Sequence, residues 1–270
     1  MDYVIDTHIH LSADPGDRKY PRAEKPPFET SDYVNTAETH LKVMDEAGVT
    51  HATIVQPFGL YGSDNSYHAD SALAHPDRLR AICGLSPSPE AVEQVRRWVK
   101  ERGMSGLRIN TRGEKAGLND PAVDSLAEEA TALGVPVNIM MSRRHIENAH
   151  ALAKRHPKLT LALDHMGGAQ PNADDSFKRL ESLAEAANII LKLTTNQITA
   201  EDAGQNVARI VEVFGADRIM WGTNYPITNH GGYAATVQMA RDFLSFLNSE
   251  QQAAILGGTA FRVYPGFAKA

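Results

Sequence analysis

Eight short apolar, β-branched runs dictate what this chain can fold into. They are Val4–His10, His51–Pro57, Leu79–Leu85, Gly106–Asn110, Val135–Met141, Leu159–His165, Ile189–Thr194 and Arg218–Thr223. From the second onward their starts lie 24 to 30 residues apart. Runs that are continuously apolar, rather than alternating with polar residues, mark strands covered on both faces, as in parallel sheets. Amphipathic stretches fall between them. Thr36–Ala47 ends at Gly48, Pro89–Arg102 at Gly103, and Pro121–Leu133 follows Asn119-Asp120 and ends at Gly134. Arg144–His156 stops at Pro157, and Asp175–Ala187, Ala200–Phe214 and Gly232–Asn248 follow. Pro near the start and Gly after the end is the asymmetry of capped helices. A repeated strand–helix–strand pattern implies right-handed βαβ units.

Eight such units predict an α/β fold, a (β/α)8 TIM barrel. No linker or composition shift divides the chain, so residues 1–270 read as one domain. The rival is an open doubly wound sheet, which often carries a glycine-rich phosphate loop after its first strand. Neither G-x-G-x-x-G nor G-x-x-x-x-G-K occurs here. The proline-rich stretch Ser12–Ser31 reads as a long loop at the top of strand 1, a functional lid or an ordered surface loop.

Composition removes several function classes. The chain has 27 Lys+Arg against 33 Asp+Glu, a net charge of −6, and no basic run longer than Arg143-Arg144. A nucleic-acid partner is therefore not expected. No run approaches the roughly 18 apolar residues of a membrane span. No basic segment leads into an apolar stretch at the N-terminus, so the cytoplasm is the expected location. The single Cys83 excludes an intrachain disulfide and reads as a small core hydrophobe. Oligomeric state is not legible.

In a barrel, chemistry gathers at the C-terminal ends of the strands. His8 and His10 at the end of strand 1 are spaced i, i+2, which aims both imidazoles to one side, to hold a metal or to bind substrate oxygen. After strand 2, Ser63 and Asn65 are candidate substrate contacts. Arg108 lies inside strand 4 and must be paired when buried, either in an internal ion pair or as a clamp for a substrate carboxylate. Arg112 follows it as a second candidate clamp. Strand 5 offers no carboxylate or imidazole. Strand 6 ends in Asp164-His165: His165 is a candidate site residue, and Asp164 points outward or orients a neighbour. Lys192 in strand 7 either snorkels or faces the mouth. His230 follows strand 8 and keeps a chance of touching substrate. His40, His51, His68, His75, His145, His150 and His156 read as surface or capping residues.

Together, Asp6-Thr7-His8-Ile9-His10, Val55-Gln56-Pro57, Gly106-Leu107-Arg108-Ile109-Asn110, Leu163-Asp164-His165-Met166-Gly167 and Trp221-Gly222-Thr223-Asn224-Tyr225-Pro226 form a pattern. It resembles the amidohydrolase superfamily, and within it the branch of 2-pyrone-4,6-dicarboxylate lactonase and galactarolactone isomerase. The resemblance implies a barrel mouth holding His8, His10 and His165. Metal-dependent members add a strand-5 histidine and a strand-8 aspartate, whereas here strand 5 ends in Met140-Met141 and position 224 is Asn. The branch lacks the strand-5 histidine and works without metal, so no cofactor is expected. The alternative is zinc held by His8, His10 and His165.

In that branch the strand-8 aspartate is the general base for water, a role an amide cannot fill. The expectation is therefore a metal-independent isomerase that interconverts the 1,5- and 1,4-lactones of a carboxylated sugar acid. Its partner would be a small anionic lactone. His8, His10 and His165 would polarise the carbonyl, Asn224 would hydrogen-bond the substrate, and Arg108 and Arg112 would hold a carboxylate. Ser63, Asn65, Lys192 and His230 would be secondary contacts. The alternatives are a lactone hydrolase (with Asn224 replacing a natural Asp), a zinc-dependent hydrolase or decarboxylase, and a non-catalytic sugar-acid binder.

Overall fold

A computed structural model describes residues 3–24, 33–111, 117–169, 176–199 and 203–267. The strands are β1 (Ile5–Ile9), β2 (His51–Val55), β3 (Leu79–Leu85), β4 (Leu107–Asn110), β5 (Val137–Met140), β6 (Leu161–Leu163), β7 (Ile189–Thr194) and β8 (Ile219–Gly222). They pair in parallel, in sequence order. The chain is a TIM barrel, as its repeating runs imply. Most strands are shorter than the apolar runs that announce them. β5 starts at Val137 because Pro136 has no N–H to give; its carbonyl instead accepts from Leu107 N at 3.0 Å.

The ring closes between β1 and β8 with few ladder bonds. Ile9 bridges Tyr225, His10 N donates to the Tyr225 carbonyl at 2.8 Å, and Asn224 N donates to the His8 carbonyl at 2.8 Å. Side chains complete the seam. Thr7 Oγ1 donates to the Trp221 carbonyl at 2.7 Å. The buried Asp6 carboxylate accepts from His8 N at 3.0 Å, Thr223 N at 2.9 Å and Thr223 Oγ1 at 2.6 Å. Gly222 permits this approach, since a Cβ there would lie 2.6 Å from His8 Cβ.

Helices Ala37–Ala47, Ala91–Arg96, Pro121–Leu133, Ile146–Arg155, Ser176–Ser182, Ala203–Phe214 and Tyr233–Phe243 match the amphipathic stretches. Thr36 caps the first by accepting from Thr39 N at 3.2 Å. Asp120 caps the helix that begins with Pro121, and Gly48 and Gly134 end their helices with φ of 66° and 70°. Several helices escape the sequence pattern. Helix Ser66–Ala74 crosses from β2 to β3, and short helices at Ser249–Ala253 and Thr259–Val263 follow the last barrel helix. None of the helices is long and apolar enough to cross a membrane, among the described residues.

The outer core lies between strands and helices. A second core fills the lower lumen, where Ile5, Val55, Ile82, Ala162, Ile190 and Met220 meet Ala260, Tyr264 and Phe267 of the C-terminal segment. That segment is a plug under the barrel, seated closely: a Cβ on Gly257 would lie 2.1 Å from the Tyr3 carbonyl oxygen. Cys83 is buried, and burial pushes its thiol up to about 12. Of the loop Ser12–Ser31, residues 25–31 lie outside the described residues. The part described is tied down by Ala23 N on the Leu60 carbonyl at 2.8 Å and Tyr20 Oη on Asp70 at 2.6 Å.

Candidate active site

Alternation along each strand carries polar groups into the upper lumen. Two positions past Ala162 and Ile190 of the lower core stand Asp164 and Lys192. Asp164 is 1% exposed and gathers four side chains. Its Oδ2 accepts from Arg108 Nε at 2.8 Å. Its Oδ1 lies 3.2 Å from Lys192 Nζ and 3.7 Å from His8 Nδ1, and accepts from Asn138 Nδ2 at 3.2 Å. Asp164 therefore does not point outward, as one reading of the sequence had it. It is the hub of the upper lumen.

The same contacts place Arg108 and Lys192. Arg108 is buried, with Nε on Asp164 and Nη1 donating to the Gln56 carbonyl at 3.2 Å. Of the two readings of Arg108, the internal ion pair is the contact observed. Lys192 is fully buried and does not snorkel. Burial alone would raise the Asp164 pKa. The Lys192 charge, then that of Arg108, outweigh it and hold the carboxyl well below its usual range. Burial lowers the Lys192 amine, with Asp164 opposing.

His8 and His10 stand above this hub with ring centroids 5.0 Å apart, and His165 lies 4.7 Å from His8. Parity along β6 would aim His165 away once Asp164 faces inward. The chain solves this with a left-handed turn: His165, Met166 and Gly167 have φ of 52°, 51° and 65°. The turn swings the imidazole back over the mouth. Asn224, with φ 62°, completes the set of non-glycine residues at positive φ among the described residues. All three, His165, Met166 and Asn224, lie at the site, and such strain gathers where function needs it.

The hydrogen-bond network fixes two tautomers. His10 Nδ1 faces the Val55 carbonyl at 2.7 Å, so that nitrogen carries the proton. Thr194 Oγ1 gives its proton to Gln197 Oε1 at 2.6 Å, so it accepts from His165 Nδ1 at 2.8 Å. In both rings Nε2 then presents a lone pair. Burial, then the Arg108 charge, push His10 down to about 3, and burial with Lys192 pushes His8 well below the usual histidine value. Neutral His10 and the Nδ1-protonated form of His165 therefore accept hydrogen bonds at Nε2. In those forms neither ring offers an N–H at Nε2 to polarise a carbonyl. His8 keeps that capacity, because both its ring nitrogens are buried without a hydrogen-bond partner among the described residues.

The Asn224 amide oxygen lies 3.2 Å from His10 Nε2, and its Nδ2 lies 2.7 Å from Thr228 Oγ1. Thr228 Oγ1 in turn donates to Asn196 Oδ1 at 2.7 Å, so it accepts from Asn224 and holds Nδ2 on its side. Asn65 is spent on the backbone, accepting from Gly84 N at 2.7 Å and donating to the Ser63 carbonyl at 3.0 Å. Ser63 and His230 are exposed, and Arg112 lies outside the described residues. His40, His51 and His68 are buried rather than superficial. His40 meets Asn35 at 3.2 Å, and His68 Nε2 donates to the Leu11 carbonyl at 3.1 Å. Asn138 escaped the sequence reading, although a lone amide between the buried Val137 and Ile139 signals an inward polar position. Tyr264 escaped because it belongs to no strand.

The Amidohydrolase family matches the chain over residues 5–266. The 4-sulfomuconolactone hydrolase of Hydrogenophaga intermedia is 27% identical over 266 residues, covering 92% of this chain and 83% of its own. The L-fucono-1,5-lactonase of Burkholderia ambifaria is 22% identical over 246 residues, covering 82% of each chain. A structure from Pseudomonas putida of a candidate 2-pyrone-4,6-dicarboxylic acid hydrolase superposes with a TM-score of 0.82 at 20% identity, over 100% of both chains.

Proposed function

The chain belongs to the amidohydrolase family, and from that premise we propose that it processes lactones of a small carboxylated acid. Its reaction is transfer of the ring ester from one hydroxyl to another, a 1,5- to 1,4-lactone isomerisation, and it needs no metal ion. The observation that carries this reading is Asn224, which stands 3.2 Å from His10 Nε2 where hydrolysis would call for a carboxylate.

A hydrolase must draw a proton from water, and positioned general base catalysis contributes about 10²–10⁴ in rate. An amide supplies none of that, and His10, at about 3, is a weak base. An intramolecular hydroxyl needs less help, since effective molarities reach about 10⁵ M or more. That hydroxyl donates to an imidazole Nε2 and attacks the ring carbonyl carbon. The new C–O bond forms, the ring C–O bond breaks, and the hydroxyl proton passes to the departing alkoxide. His8, turned to the tautomer that donates, stabilises the oxyanion. Arg108 and Lys192 against the single Asp164 leave one positive charge in excess among these three groups, which favours an anionic substrate.

The same charges argue against a divalent cation. Among the described residues no three His, Cys, Asp or Glu side chains are arranged to hold a metal. Asp164, the carboxylate beside the histidines, is already committed to two cations. A second reading, lactone hydrolysis, is favoured by the curated relatives, a lactone hydrolase and a lactonase.

A lactone panel followed by NMR tests both. D-galactaro-1,5-lactone should convert to its 1,4-isomer without acid release. Asn224→Asp should raise acid release from that lactone or from L-fucono-1,5-lactone by about 10²–10⁴-fold. No gain with any lactone would break the argument from the missing base. Turnover that requires stoichiometric zinc would overturn the metal-free reading.

A further inference from the structure

The lower core and the charged hub touch at one place. Tyr264, from the C-terminal plug, is fully buried in the floor of the lumen. Its hydroxyl lies 3.2 Å from Asn138 Oδ1 and 3.0 Å from Asn138 Nδ2. The same Nδ2 donates to Asp164 Oδ1 at 3.2 Å. Tyr264 is the floor side chain that reaches the polar layer through a hydrogen bond, among the described residues.

We propose that Tyr264 is a positioning residue: through its hydrogen bonds to the Asn138 amide it anchors the side chain whose Nδ2 donates to Asp164, and so fixes the carboxylate that places Arg108, Lys192 and His8. An amide has two orientations of nearly equal shape, and only one offers Asp164 a donor. The Asp164 carboxylate itself calls for that orientation, and the Tyr264 hydroxyl, which bonds both amide atoms, holds the side chain in place beneath it. Burial pushes the Tyr264 phenol up, so it remains a donor across the working range of pH. Asp164 Oδ1 is also the atom nearest Lys192 Nζ and His8 Nδ1. A misplaced carboxylate would displace the groups that meet the substrate, although Tyr264 never touches it. The catalytic half of this inference rests on the lactone reading, while the positional half does not.

The experiment compares Tyr264→Phe with Phe267→Leu, a floor substitution that leaves the hydroxyl in place. Tyr264→Phe should lower kcat for the fastest lactone of the panel about 5- to 10-fold, with KM within about twofold, the effect of losing one hydrogen bond to a positioned network. Phe267→Leu should leave kcat unchanged. Independently of turnover, the Asn138 carboxamide resonance, assigned by its loss in Asn138→Ala, should move in Tyr264→Phe and hold still in Phe267→Leu. If the wild type consumes no lactone, the lactone reading fails and the resonance alone decides. If Tyr264→Phe does not fold, Asn138→Leu should reproduce the loss of kcat. Unchanged kcat in the folded variant, equal shifts of the resonance in both variants, or full activity of Asn138→Leu would overturn the proposal.

Discussion

The two ends of one lumen are built from the same strands and obey opposite rules. Below, Ala162, Ile190 and Met220 pack with Tyr264 and Phe267 into an apolar floor. Two residues further along, β6 and β7 present Asp164 and Lys192, with Arg108 and His8 beside them. One strand step thus separates a surface stabilised by removing apolar area from water from one held by paired charges. The first tolerates volume-conserving change. The second does not tolerate the loss of a partner, because desolvation has already been incurred for every charge in it.

Asp164→Asn breaks that contrast hardest. It leaves Arg108 and Lys192 buried without their paired carboxylate, and losing one partner of a buried pair costs about 3–5 kcal/mol. Denaturant unfolding should show that loss, and lactone turnover should collapse with it. Retention of wild-type stability would mean that the hub contributes nothing to holding the barrel.

Asp164 also marks where sequence reading stopped. The strands were legible because continuous apolar runs can only be buried on both faces, and alternation then points to Arg108 and Lys192. Parity fails at β6, because counting from His165 as inward forces Asp164 outward. Only the left-handed turn at His165–Gly167 lets both reach the lumen, and no residue before Gly167 announces it. Helix Ser66–Ala74 stayed hidden because Ser-Tyr-His-Ala-Asp-Ser-Ala-Leu-Ala carries no clear apolar stripe. Its buried His68 therefore looked like a surface residue.

Acid separates the two ends next. Burial is the first cause that lowers His8, His10, His40 and His68, with His10 and His40 at about 3 and His68 at about 4. The unfolded chain takes up protons at these imidazoles from about pH 6.5 downward, whereas the folded chain does not. Their contribution is fully present above that pH and is lost as the pH falls toward 3. Each histidine removes about 1.4 kcal/mol per pH unit in its window. Asp6, raised by burial, opposes them by favouring the folded state at low pH. Unfolding free energy measured from pH 7 to 4 should therefore fall, and His68→Leu should flatten the slope. An unchanged slope in that variant would contradict buried neutral imidazoles.

The smallest effect belongs to the floor. Ile190→Val removes one methylene from an apolar site and should cost about 0.5–1.5 kcal/mol, with kcat unaltered. A loss of kcat without loss of stability would show that the floor is not separable from the hub, and would sharpen the part assigned to Tyr264.

The seam between β1 and β8 sets an order of events. Each other pair of adjacent strands joins segments a few tens of residues apart, whereas Asp6 and Thr223 are 217 residues apart. Closing that interval carries the largest loop entropy in the barrel, so the expected order is that this contact forms last and is released first. His8, His10 and Asn224 stand on either side of it. The active geometry is thus a late product of folding, and amide exchange at Asn224 should be among the fastest in the barrel's inner wall.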